Sequence, residues 1–187
     1  LYESYYKTSF DPYNIISILG QIRKTSKIAE HQKLIDNMLY QINSLKPNSK
    51  APNFELITNK NDTIALDDFK GKHVYIQFFT SWNQTALQEL KIIKDLHSKY
   101  GKYVEFISIS LDDDEEEFNR FMQNNRNYKW HIAYYKGENS LIQDYEVLSV
   151  PSYVLIDENG NIQEAQALGP APNYPRPSID KTFFYIK

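Results

Sequence analysis

The chain has 187 residues and a net charge of −3, with 41% hydrophobic and 24% charged residues. That composition suits a globular domain rather than a disordered one, and it leaves no basic footprint for nucleic acid or an anionic membrane. No apolar run approaches the roughly 20 residues of a transmembrane helix. The absence of cysteine excludes structural disulfides and thiolate metal sites and leaves the compartment open.

Residues 1–13 are Tyr-rich and irregular (Tyr2, Tyr5, Tyr6, Tyr13). With neither a start methionine nor a signal peptide, a leader, lipid anchor or upstream domain is expected before them. Ile15, Ile18, Leu19 and Ile22 then recur at helical spacing. A second helix places Leu34, Ile35, Met38, Leu39, Ile42 and Leu45 on one face and stops before Pro47. Residues 46–52 read as a linker. From Asn53 the pattern alternates strands and helices. Strands over 54–57 and 63–66 form a hairpin, and 72–79 is a nearly continuous apolar strand of the doubly buried kind. A helix over 84–100 follows, then a strand over 103–110, a helix over 115–124, a strand over 131–135 and a helical turn over 140–145. Strands 153–156 and 162–165 flank the turn Asp157-Glu158-Asn159-Gly160, and a helix fits 178–186. This order predicts an α/β fold with a parallel crossover at its centre and a mixed sheet.

Five segments in order carry a resemblance. They are Lys50-Ala51-Pro52-x-Phe54-x-Leu56; Leu66-x-x-Phe69-Lys70-Gly71-Lys72; Phe78-Phe79-x-Ser81-Trp82; Ala86-Leu87-Gln88-Glu89; and Tyr145-x-Val147-x-x-Val150-Pro151-Ser152-Tyr153 running on to Gly160. Together they resemble the TlpA/ResA-like thiol-disulfide oxidoreductases, thioredoxin-like proteins related to AhpC/TSA. The resemblance implies a thioredoxin-like α/β domain over residues 47–187, with a mixed central sheet flanked by helices. A two-helix extension over 1–46 would precede it. It also implies a periplasmic or envelope-associated bacterial protein, the helices of 1–45 being similar to those of longer exported Bacteroidetes relatives.

Active members of that family place Trp-Cys-x-x-Cys at a helix N-terminus, whose unsatisfied N–H groups favour a thiolate. Here Asn83 and Ala86 stand at the two cysteine positions. Thiol–disulfide exchange needs a thiolate, and no side chain of this chain supplies one. Asn83 reads as a helix N-cap. Ser81 or Thr85 as a substitute nucleophile would need a base in reach, and His73 and His97 lie far along their elements. Glu89 matches the acid that relatives use to move protons at the second cysteine. With no thiol to serve, it reads as a solvated or capping first-turn carboxylate. Gln77 takes the central-strand position where many thioredoxins bury an acid.

Val150-Pro151 matches the family's cis-proline, beside which relatives pair backbone with a bound extended substrate. Trp82, Asn83, Gln84, Thr85, Glu89, Val150 and Pro151 are therefore the candidate groove for a protein or peptide partner. The alternative is a proline that only shapes its loop. No cofactor is expected and no metal: the four histidines lack ligand spacing, and the acidic run 112–117 lacks the glycine of a calcium loop and reads as a solvated helix start. Residues 170–177 read as a proline-rich C-terminal linker. Two functions stay open. One is a redox-inactive binding or structural module of the bacterial envelope. The other, implied by the family, is a thiol-disulfide oxidoreductase or peroxiredoxin-like antioxidant with thiols from outside this chain.

Overall fold

The computed structural model describes residues 12–137, 140–172 and 177–187, apart from the side chains of 12–16 and 40–44. The Tyr-rich residues 1–11, and residues 173–176 of the proline-rich stretch, lie outside the described residues. The chain forms two compact units, residues 1–46 and 47–187.

The first unit contains α1 (Pro12–Thr25) and α2 (Ala29–Ser44). Proline suits the first helical position, where its missing N–H would have no partner in any case. Arg23 forms a two-pronged contact with Asp36, and Gln32 Nε2 donates to the Ser26 carbonyl at 2.7 Å. The charged pair is solvent-exposed and so contributes little. Leu19 and Ile35 are buried, but Leu34 and Met38, expected on the covered face, are exposed.

In the second unit, β1 (Glu55–Thr58), β2 (Thr63–Ala65), β3 (His73–Phe79), β4 (Val104–Ser110), β5 (His131–Tyr134), β6 (Ser152–Ile156) and β7 (Ile162–Glu164) form one mixed sheet. The spatial order is β2-β1-β5-β4-β3-β6-β7. The β3–β4 and β4–β5 pairs are parallel, and β6 runs antiparallel to β3. The helices are α3 (Gln84–Tyr100), α4 (Glu115–Asn124), the single turn α5 (Leu141–Asp144) and α6 (Asp180–Ile186). A 3-10 turn over Leu66–Phe69 ends β2 one residue before the expected strand boundary, with Asp68 accepting the Ala65 N–H.

Strand β3 is buried along nearly its whole length, as its apolar run requires in a doubly covered sheet. Tyr75 and Phe79 face a core shared with Leu90, Ile93 and Tyr100 of α3 and Phe183 of α6. Tyr75 stacks on Tyr153 and meets Phe106 and Phe183 edge-on, which accounts for part of the aromatic richness as core packing. Residues 48–51, read as a linker, instead pair with the last hairpin. Asn48 N–H donates to Ile162 O at 2.7 Å, Ile162 N–H to Ser49 O at 2.8 Å and Ala51 N–H to Gly160 O at 3.1 Å. Ala51 is buried by this pairing. In the turn of that hairpin Gly160 takes φ +77, a conformation glycine reaches without steric cost.

Candidate functional site

Strand β3 ends at Phe79, and residues 80–83 carry the chain into α3. Asn83 is the N-cap: its Oδ1 accepts the Ala86 N–H at 3.1 Å. Its Nδ2 donates to the Val150 carbonyl at 3.0 Å. One short side chain therefore joins the start of α3 to the residue before Pro151. The Val150–Pro151 peptide is cis. Ala86 lies fully buried one turn into the helix, whereas Gln84 and Thr85 are exposed. Trp82 next to Asn83 is 65% exposed, and Leu148, two residues before Val150, is 86% exposed. The Asn83–Val150 bond thus has a large exposed apolar side chain a residue or two away on each of its two segments.

The loop that presents Trp82 is held by a residue the sequence reading assigned to solvent. Asp112 is buried and accepts three bonds: from Ser81 N–H at 2.8 Å, Ser81 Oγ–H at 3.1 Å and Ser110 Oγ–H at 2.6 Å. The acidic run is therefore divided. Asp112 anchors the loop, Asp114 caps α4 by accepting the Glu116 N–H at 2.8 Å, and only the residues beyond supply the solvated, dipole-favoured first turn. The register gives the signal that finds Asp112. Phe79 pairs with Ser110 on a parallel ladder, so Ser81 and Asp112 lie two residues beyond the ends of neighbouring strands.

Glu89 also departs from its solvated reading. It is 8% exposed and accepts a hydrogen bond from the Tyr153 hydroxyl on β6. Burial pushes its carboxyl above the usual carboxylate range, and the Tyr153 bond pulls the other way. Tyr153 is likewise pushed up, by burial first and then by Glu89. On the sheet face below, Tyr153 is in register with Gln77, and Gln77 with Ser108. Ser108 Oγ donates to Gln77 Oε1 at 3.0 Å and receives Trp130 Nε1–H at 3.0 Å. Gln77, like the acid it replaces by resemblance, is wholly buried. Three buried polar side chains, Tyr153, Gln77 and Ser108, thus sit abreast on neighbouring strands under α3.

The Glu89 shift has a defined sign. A carboxyl raised in the folded state binds its proton more tightly there than in the unfolded chain. Its contribution is present below the ordinary carboxylate range and is lost as pH rises through the raised value. Relative to Glu89→Gln, the natural chain is expected to lose stability as pH rises above the ordinary carboxylate range, about 4. Urea midpoints of both proteins at rising pH give the measurement, and a difference independent of pH would contradict the assignment.

No group of three or more His, Asp or Glu side chains is placed to hold a metal among the described residues, and none of their helices is long and apolar enough to cross a membrane. The groups brought together at the head of α3 can donate, accept and present apolar surface. They include no nucleophile of the thiol type.

Comparison with known proteins agrees with this geometry. The redoxin family profile matches residues 46–182. The thiol-disulfide oxidoreductase ResA of Bacillus thuringiensis subsp. konkukian is 32% identical over 114 residues, which is 60% of this chain and 65% of that protein. The chain therefore covers less than two thirds of that relative's length. The thioredoxin-like protein YneN of Bacillus subtilis is 26% identical over 67% of this chain and 77% of its own length. A crystal structure from Bacteroides vulgatus, assigned as a thiol-disulfide oxidoreductase, superposes with TM-score 0.68 at 25% identity and covers 78% of this chain and 99% of that one. With a seven-stranded mixed sheet, flanking helices and no cysteine anywhere in the sequence, the chain belongs to the redoxin family as a TlpA/ResA-like thioredoxin-fold member without the cysteine pair.

Proposed function

We propose that this domain does not exchange disulfides and instead holds an extended polypeptide segment of a partner protein, in the bacterial envelope, at the groove between Trp82 and Val150-Pro151. The observation that carries this reading is the amide seated on the Val150 carbonyl. The chain itself places a peptide-like N–H donor there, at 3.0 Å, with exposed Trp82 next to Asn83 in sequence and exposed Leu148 two residues before Val150. Main-chain capture of an extended segment needs such an acceptor, and side-chain anchoring needs such flanks. Electron transfer would need sulfur at positions 83 and 86, where Asn83 caps the helix and Ala86 is packed. The resemblance to exported relatives supports the envelope location.

An immobilised library of random hexapeptides tests the reading. The natural chain is expected to retain a subset of members, and Trp82→Ala to weaken their binding about tenfold or more, the usual loss for a buried aromatic anchor. Retention unchanged by Trp82→Ala, or no retention at all, would overturn it.

A further inference from the structure

The Val150 carbonyl is already occupied, and that occupation bears on how the groove opens. In an antiparallel pairing two opposed residues exchange both of their main-chain bonds, N–H to C=O in each direction. Val150 offers only half of such a pair. Its carbonyl accepts Asn83 Nδ2–H, while its own N–H donates to no acceptor among the described residues. A primary amide is the closest side-chain copy of a peptide N–H, so Asn83 fills the place a docking strand's N–H would take.

We propose that Asn83 is a latch on this groove, an internal occupant that an incoming extended segment must displace. The proposal rests on the peptide-binding reading given above. The two ends of the amide have separable tasks. Oδ1 caps α3 at Ala86 and Nδ2 closes Val150, so the latch can be removed while the cap is kept. Asn83 is only partly buried, so water can take up its released N–H and opening is inexpensive. The latch therefore tunes affinity rather than blocking binding. It selects for segments that bring a main-chain N–H to Val150 and also engage the flanking apolar side chains.

The test uses Asn83→Ser, which retains capping ability without the amide donor, and Asn83→Asp, which is isosteric and also retains the cap. Near-ultraviolet circular dichroism establishes that both variants fold. Hexapeptides retained by the natural chain are expected to bind each variant about two- to tenfold more tightly, the worth of one net hydrogen bond. Methylating a single backbone nitrogen of the peptide is expected to abolish that gain in the variants and to change binding to the natural chain much less. Equal affinity for the natural chain and both variants would overturn the latch and leave the groove reading standing. A gain that survives methylation at every backbone nitrogen would also overturn it, since the freed carbonyl would not be the group engaged. Failure of all three proteins to retain any hexapeptide would remove the groove reading and the latch together.

Discussion

Asn83→Cys combined with Ala86→Cys is expected to give this domain a reversible disulfide. Three structural features favour that outcome. Positions 83 and 86 are the N-cap and the third residue of α3, close enough for the Asn83 side chain to reach the Ala86 N–H. The first is partly exposed and the second fully buried, the asymmetry wanted of an attacking thiol and a resolving one. A thiolate at 83 would meet the Ala86 N–H that Oδ1 now serves, in a first turn that carries no acidic side chain to raise its pKa. The cost is the asparagine cap, about 1 kcal/mol, which the fold can bear. Thiol titration is expected to find two free thiols after reduction and none after oxidation. Two thiols persisting under oxidant would mean that the helix head no longer holds a disulfide-compatible geometry.

Asp112→Ala is expected to cost about 3 kcal/mol of folding stability and to release the Trp82 loop. The carboxylate accepts from Ser81 N–H, Ser81 Oγ–H and Ser110 Oγ–H, and it is buried, so its removal leaves donors unpaired where water does not reach freely. A surface acid of the same run, Glu117, is exposed in the first turn of α4 and serves as the control. Urea unfolding is expected to separate the two variants by about 2 kcal/mol or more, the surface change being nearly neutral. Trp82 emission should also change in Asp112→Ala alone. Equal midpoints for the two variants would show that the loop is held by something other than Asp112.

Much of the fold is legible in the sequence because its signals are local. The run Val74–Phe79 can only be a covered strand, the spacing of Leu90, Ile93 and Leu96 only a packed helix face, and Asp157–Gly160 a turn. The head of α3 is legible for the same reason, since Asn83 caps within three residues of itself. What stays hidden depends on register between distant segments. Asp112 looks like one acid among six until Phe79 is paired with Ser110. Glu89 looks solvated until Tyr153 is brought over it by the antiparallel β3–β6 pairing, which sets Tyr153 opposite Gln77. Residues 48–51 look like a linker by composition until the last hairpin offers its edge. The Asn83 bond to Val150 joins positions 67 apart in sequence, and no spacing rule anticipates it.

Glu89 and the polar row beneath it form a buried polar patch behind the head of α3. Glu89 is buried, and the tyrosine that bonds it lies two residues past Pro151.

Dithiothreitol-linked reduction of insulin by the natural chain tests the central claim most directly. The rate is expected to equal the no-protein control, because no group in the chain can carry the electrons. Turnover above that control would contradict the account.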